Sequence, residues 1–299
     1  MQSNLILEVG ACPFPGFTLL HLLGRGGFAQ VWEARDEQGR RFALKFISAS
    51  STLSTVKEVK SIQSLQKLKH PNLLPIKHVC SVPGHIVIMM ELADASLLDL
   101  LDAYQNEFGT AIPFKDLADF MLEMAQALDY LNERIHPLDG RLVGYQHCDV
   151  KPSNMLVAGN RAKLADFGLA SATTSMHNPY TKCGTLDFAA PEIHRGTLSE
   201  RSDQYSLAVS WYYLRTGKLP FPRVEDGFRR KYSYARPMPD LSLVERSERR
   251  ILERALDVQP ERRWEKCEIL ICELMNAVLA QSSAGSSSSS LIVVPALAR

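Results

Sequence analysis

The sequence lacks the features of a membrane-spanning chain or of a disulfide-stabilised secreted one. No apolar run approaches the ~20 residues that a spanning helix needs, and residues 1–16 show neither the basic start nor the apolar core of a secretory signal. Only 6 of the 299 residues are Cys, and none of them form a C-x-x-C pair. We therefore expect reduced thiols, no zinc site and a cytoplasmic location.

A charge imbalance is also missing. Lys and Arg total 34 against 33 Asp and Glu, which gives a net charge of +1. This balance provides no general attraction for nucleic acid or for an anionic membrane, so we expect neither as a partner. The length and the 45% hydrophobic content are sufficient for two lobes with a large buried core.

Two short motifs carry most of the functional signal. Residues 147–154 read H-C-D-V-K-P-S-N, and residues 166–168 read D-F-G. Together, and in this order, they resemble the catalytic loop and the metal-binding turn of protein kinases. The chain as a whole is similar to bacterial kinases of the eukaryotic-like Ser/Thr type, and the resemblance extends from about residue 17 to residue 279.

The resemblance implies a role for each polar residue of these motifs. Asp149 would accept or orient the substrate hydroxyl proton, and Lys151 would stabilise the transferring phosphoryl group. Asn154 and Asp166 would hold Mg²⁺, or Mn²⁺ in its place, through oxygen ligands. ATP is the implied cofactor, and Ser and Thr side chains of proteins are the implied acceptors.

Upstream motifs complete the implied nucleotide site. Residues 24–31 read G-R-G-G-F-A-Q-V, a phosphate loop in which Ala29 replaces the third glycine. Lys45 lies on a predicted strand, where Glu58 of the following helix would pair with it. The hinge between the lobes would begin after a gatekeeper, Met90. The implied nucleotide-binding set is Gly24, Gly26, Gly27, Ala29, Val31, Ala43, Lys45, Met90, Glu91, Ala93 and Leu156.

The residues after the D-F-G turn indicate a protein substrate. Residues 184–192, G-T-L-D-F-A-A-P-E, resemble the end of a kinase activation segment, which binds peptide. Arg263 is expected to pair with Glu192 in the core. Lys151 and Thr185 favour Ser/Thr acceptors over Tyr.

The expected fold is α+β and bilobal. A small antiparallel β-rich lobe with one helix and a hinge would span 17–93, and a larger, mainly helical lobe would span 94–280. Residues 1–16 would form a leader, and 281–299 a Ser-rich flexible tail. Helical periodicity predicts helices over 53–69, 113–135, 203–215, 244–256 and 265–279. The sequence leaves open whether the protein forms a homodimer that phosphorylates itself.

The catalytic loop departs from the family pattern at Cys148, where Arg is usual. That Arg binds a phosphate on the activation segment, and a thiol cannot form such bidentate contacts. The departure predicts little dependence on phosphorylation of Thr181, although Lys163 or Lys182 could compensate in part.

Three alternative functions fit the sequence less well. A pseudokinase that binds nucleotide as a scaffold would normally have lost Lys45, Asp149 or Asp166, and all three are present. A small-molecule kinase of the same fold would lack residues resembling 184–192. A non-enzymatic interaction domain would not explain the spacing of the motifs.

Overall fold

An antiparallel sheet is followed by a set of helices in the computed structural model, which describes residues 5–27, 29–48, 62, 65–138, 140–166, 171–172, 186–223 and 235–285. The strands are β1 (Phe17–Arg25), β2 (Ala29–Asp36), β3 (Arg41–Ser48), β4 (Ile76–Val82), β5 (His85–Glu91), β6 (Ala95–Ser96), β7 (His136–Leu138), β8 (Arg141–Val143), β9 (Tyr145–Gln146), β10 (Met155–Ala158), β11 (Arg161–Leu164) and β12 (Ser171–Ala172). The helices are α1 (Leu97–Phe108), α2 (Phe114–Asn132), α3 (Pro191–His194), α4 (Ser202–Thr216), α5 (Arg246–Ala255) and α6 (Cys267–Gly285). The predicted α+β architecture is confirmed.

The N-terminal sheet has the strand order β1-β2-β3-β5-β4. Its register places Lys45 between Val31 on β2 and Ile88 on β5, and it places Ala43 beside Met90. Side chains alternate between the two faces of a strand. The face that carries Lys45 therefore also carries Val31, Ala43 and Met90.

The opposite face of the sheet has its own apolar cluster, in which Trp32, Leu44 and Phe46 are buried. The N-terminal segment covers this face, because Leu5 and Leu7 pack against the cluster. Backbone hydrogen bonds between Leu19 and the segment 10–11 fix it there, each with an N···O distance of 2.9 Å. The described part of the predicted leader is thus packed on the sheet.

The helical lobe is built around α2, which contacts α4 and α6. Its predicted C-terminal end at residue 135 is wrong, since the helix ends at Asn132 and Glu133 is extended. From His136 the chain pairs in the β7–β8 hairpin, whose turn contains Gly140 with φ 76°. Hairpin pairing therefore overrides the helical periodicity after Asn132.

The last described helix, α6, differs from the prediction at its C-terminal end. It continues to Gly285, so residues 281–285 of the predicted flexible tail are helical. At the other end, the Asp129 carboxylate accepts the backbone N–H groups of Cys267 and Glu268 at 2.8 and 3.0 Å. These bonds satisfy two donors that a helix start leaves without a partner. In the described part of the chain, no helix combines the length and hydrophobicity needed to cross a membrane.

Candidate active site

A buried carboxylate binds the backbone of the catalytic loop. Asp203, at the start of α4, accepts the backbone N–H groups of His147 and Cys148 at 2.5 and 2.9 Å. Burial raises the pKa of Asp203, while these backbone donors act in the opposite direction. Cys148 adopts a left-handed backbone with φ 69°, which non-glycine residues rarely do. The anchor therefore holds a strained turn immediately before Asp149.

Two side chains of the loop converge on the carboxylate of a third, Asp149. The Asp149 Oδ2 atom accepts a hydrogen bond from Lys151 Nζ at 2.9 Å and one from Asn154 Nδ2 at 2.9 Å. Asn154 Nδ2 also donates to the Asp149 carbonyl at 2.8 Å. These bonds use the amide nitrogen of Asn154, so its Oδ1 is directed away from Asp149. The loop thus presents a carboxylate, an ammonium and an amide oxygen side by side.

Asp166 joins this loop to the N-terminal sheet. Its Oδ1 atom accepts a hydrogen bond from Lys45 Nζ at 2.5 Å. Asp166 is also left-handed, with φ 68°. The preceding residue, Ala165, is fixed to the catalytic loop because its N–H donates to the Asn154 carbonyl and its carbonyl contacts His147 Nε2, at 2.9 and 2.8 Å. The two motifs of the sequence therefore form one bonded unit.

An apolar cluster lines the cleft next to Lys45. Ala43 and Met90 are buried in it, and Val31 and Leu156 pack against it from the two lobes. A small cavity lies behind this wall, lined by Lys45, Ile62, Leu65, Leu74, Ile76, Ile88, Met90 and Asp166. The structure thus brings the predicted apolar nucleotide-binding positions together with Lys45 and Asp166.

The hinge is tied to the C-terminal lobe by an ion pair that the sequence did not reveal. Lys163 Nζ donates to Glu91 Oε2 at 2.5 Å, and the N–H of Asp94 donates to the Val157 carbonyl at 2.8 Å. A role of Lys163 as receiver of an activation-segment phosphate stays a prediction, and it would have to compete with the pair to Glu91 at the hinge.

The glycine-rich loop contains a tight local turn. The N–H of Gly26 donates to the carbonyl of Ala29 at 2.8 Å. A Cβ atom built on Gly24 or Gly27 would meet no atom of the described residues within 4 Å. Neither glycine adopts the left-handed conformation that would require it. Their small size is thus not explained by packing within the described chain.

The predicted core pair near α3 is present. Arg263 donates to the two carboxylate oxygens of Glu192, each at 2.7 Å. Both residues are buried, with 1% of Arg263 and 7% of Glu192 exposed. Burial opposes ionisation of Glu192, but the hydrogen bonds and charge of Arg263 outweigh it and lower the pKa of Glu192 below its ordinary value.

Some predicted residues lie outside the described part of the chain. These are Glu58, Phe167, Gly168, Thr181, Lys182, Gly184 and Thr185. The described partner of Lys45 is Asp166.

Comparison with known proteins now identifies the family. The model of the protein kinase domain matches residues 17–275. The chain belongs to the protein kinase family. This confirms the family predicted from the catalytic-loop and D-F-G motifs, and the bacterial relatives agree with the predicted type.

Three relatives illustrate the range of similar kinases. Serine/threonine-protein kinase PknF of Mycobacterium tuberculosis is 28% identical over 274 residues, which cover 85% of this chain and 54% of PknF. PknD of the same species is 31% identical, covering 74% and 32%. The rice L-type lectin-domain containing receptor kinase S.7 is 34% identical, covering 74% and 32%. The kinase chain thus spans about half the length of PknF and about a third of the other two.

Sequence reasoning missed two further features of this kinase domain. Glu91 and Lys163 form their pair only because the β10–β11 hairpin brings Lys163 to the hinge. Arg236 lies in a Pro-containing segment without helical or strand periodicity, yet its guanidinium is buried against residues 186–189. Neither feature has a local sequence signal, since each depends on how distant segments fold together.

Proposed function

We propose that the chain transfers the γ-phosphoryl group of ATP to Ser and Thr hydroxyls of protein substrates. The observation that supports this best is the position of the Asp149 carboxylate between Lys151 and Asn154, in a loop bonded to the Lys45–Asp166 pair. Phosphoryl transfer depends mainly on positioning and on neutralising charge. This arrangement supplies groups for both.

Each of these residues has a distinct task in the proposed reaction. Asp149 orients the acceptor hydroxyl and takes its proton as the new P–O bond forms. Lys151 adjoins that carboxylate and stabilises the negative charge of the transferring phosphoryl group. Lys45 binds the α- and β-phosphates from the sheet side, and Glu58 is its proposed partner on the helix. The groups act from two sides of one cleft, which suits an in-line transfer.

The oxygen atoms at the base of the cleft fit Mg²⁺. Asn154 Oδ1 and the Asp166 carboxylate are hard ligands, as this ion prefers. Two protein ligands suit this ion, because Mg²⁺ sites are commonly completed by phosphates and water. When bound, Mg²⁺ neutralises phosphate charge.

The cleft wall suits an adenine ring. Val31, Ala43, Met90 and Leu156 offer apolar surface, and the backbone of Glu91 and Ala93 would bond the base edge. The open space at Gly24 and Gly27 fits a loop whose N–H groups approach phosphates. The Ser/Thr class is supported by the names of PknF and PknD, together with Lys151 and Thr185.

The variant Asp149→Asn tests the proposed reaction. Phosphate incorporation from labelled ATP with Mg²⁺ should fall by about 10²- to 10⁴-fold, because the amide cannot take the proton. The substitution keeps the size of the side chain. ATP-dependent thermal stabilisation should therefore persist in the variant and serves as the control for folding.

The same assay distinguishes the pseudokinase alternative. A scaffold would be stabilised by ATP but would show no Asp149-dependent incorporation in the wild type. Incorporation that is equal in the wild type and in Asp149→Asn would contradict the proposed role of Asp149. Phosphoamino-acid analysis should find Ser and Thr, and exclusive Tyr modification would contradict the acceptor class.

Activity should depend little on phosphorylation of the activation segment. The Cys148 thiol donates to the Gln146 carbonyl at 3.3 Å, and a thiol cannot bind phosphate as a guanidinium does. Phosphatase-treated enzyme and Thr181→Ala should both retain most of the wild-type rate in a steady-state assay. Loss of most activity in either would show that another basic residue receives the phosphate. Cys148→Arg is the matched gain-of-dependence variant.

A further inference from the structure

Arg236 makes an unusual set of contacts with the segment that precedes α3. One guanidinium nitrogen, Nη2, donates to the carbonyls of Leu186, Asp187 and Ala189 at 2.7, 2.6 and 2.9 Å. The Nε atom also donates to the Ala189 carbonyl, at 3.2 Å. Residues 186–188 form a short 3₁₀ turn, so the turn curls around the guanidinium.

The Arg236 side chain is itself fixed by the helical core. It is 9% exposed, and its guanidinium lies 4.7 Å from the centroid of the Phe221 ring. Phe221 stacks on Tyr205 of α4, with centroids 6.2 Å apart and an interplanar angle of 11°. A cation over an aromatic face is attracted to it, most of all when it is desolvated. The Arg236 side chain is therefore held, through Phe221, on α4, a helix in which most residues are buried.

The same aromatic pair connects two arginines. Arg263 lies 5.0 Å from the centroid of the Tyr205 ring and binds the Glu192 carboxylate. The segment 186–192 is therefore bound near both ends by two arginines, Arg236 and Arg263, which stack on the same aromatic pair, Phe221 and Tyr205. Arg263 holds a carboxylate in the core, whereas Arg236 holds backbone carbonyls.

The electrostatic surroundings tolerate the Arg236 charge. His194, whose pKa responds to the Arg236 charge, is 9% exposed. Burial and then the positive charge of Arg236 lower the pKa of His194 to about 4. The imidazole is thus neutral at physiological pH and does not add a second cation to the site.

We propose that Arg236 is a positioning residue that sets the shape of the peptide-binding segment 186–190. The inference rests on the proposed protein kinase function, since this segment is the one expected to receive the acceptor peptide. The planar guanidinium donates from two nitrogens held in a fixed orientation, Nη2 and Nε, which the single nitrogen of an ammonium cannot reproduce. Leu186 and Ala189 have one further donor each, from the Ala189 N–H and from His194. Without the guanidinium, the three carbonyls would still lose the group that joins them to one another, and the segment would lose its shape.

The test compares Arg236→Met with Arg250→Met, an identical substitution at an exposed position of α5. With dephosphorylated casein as acceptor, Arg236→Met should lower kcat/KM for casein by about 10- to 100-fold, mainly through KM, as expected for a displaced binding surface. The KM for ATP and the slow hydrolysis of ATP by water should match the wild type. Arg250→Met should match it in all assays.

Hydrogen exchange supplies a readout that does not need activity. Amides of 186–190 should exchange faster in Arg236→Met, while those of the catalytic loop stay protected. Unchanged exchange there, or an unchanged KM for casein in an active enzyme, would overturn the proposal. An equal shift in the KM for ATP would also overturn it, because that points to a global defect.

Two further comparisons separate a failure of the Arg236 proposal from misfolding and from a failure of the proposed function. Arg236→Lys retains charge and most of the volume, so it should fold even where the Met variant does not, and it should still show faster exchange in 186–190. Full protection in the Lys variant would contradict the need for a guanidinium. Should the wild type transfer no phosphate, the proposed function fails, and the exchange data alone decide the role of Arg236.

Discussion

Lys45→Met is expected to reduce phosphate transfer by several powers of ten, on the order of 10³-fold or more. Lys45 is the cationic group that the sheet side of the cleft contributes, and its ammonium lies 2.5 Å from Asp166. Removal takes away a positioned charge where phosphate charge must be neutralised. It also releases Asp166 from the bond that links it to the sheet. Initial rates with Mg²⁺ and ATP measure the effect.

The matched control is Lys115→Met, the same substitution at an exposed position of α2. It should leave rates unchanged, since the Lys115 side chain is exposed and none of the proposed roles falls on it. Both variants should keep the wild-type circular dichroism spectrum. A Lys45→Met enzyme with near-normal kcat would remove Lys45 from the proposed mechanism, whereas a lost spectrum would indicate misfolding.

The parts of the site that sequence could predict are those fixed by local spacing. Asp149, Lys151 and Asn154 lie within six residues of one another, so a single tight loop must bring their side chains together. Lys45 was also predictable, because a two-residue alternation fixes which face of a strand it shares with Ala43. For such residues, the covalent chain determines most of the geometry.

The parts that sequence could not predict depend on contacts between distant segments. The periodicity of α2 indicated a helix to residue 135, but pairing of the β7–β8 hairpin competes for residues after Asn132. The sequence around Lys163 does not indicate its partner, because Glu91 lies in the hinge and meets Lys163 only in the folded chain. Arg236 is a similar case, since three carbonyls of a remote turn define its role.

Arg263→Met is expected to produce the largest loss of stability, about 3–5 kcal/mol in the free energy of unfolding. The two 2.7 Å bonds to Glu192 are buried, and Arg263 also donates to the carbonyls of Asp257 and Arg201, each at 2.9 Å. Without the guanidinium, the bonds that the described residues still give the Glu192 carboxylate come from the uncharged hydroxyls of Ser199 and Ser202 and from a backbone N–H. A buried charge then lacks its counter-charge. Urea unfolding measures the loss.

The control is Arg134→Met, which breaks an ion pair with Glu200 in which both side chains are largely exposed. Exposed pairs contribute little, so this variant should unfold close to the wild-type midpoint. The double variant Glu192→Met, Arg263→Met should lose less than the sum of the two single variants, because it leaves no buried charge alone. Additive losses would indicate that the two residues are not coupled.

The pH dependence of stability provides a second, independent test of the pair between Glu192 and Arg263. In the wild type the pKa of Glu192 lies below its ordinary 4.5, because Arg263 outweighs burial. The contribution of the pair is therefore present above pH 4.5 and is lost as the pH falls through the lower, folded-state pKa. In Arg263→Met burial, the largest influence on Glu192, is opposed by uncharged hydrogen-bond donors of the described residues and no longer by Arg263, so its pKa should rise above 4.5. That variant should then recover stability as the pH falls from 7 towards 4.5, relative to wild type. A constant difference between the two proteins across this range would show that Glu192 does not carry the buried charge.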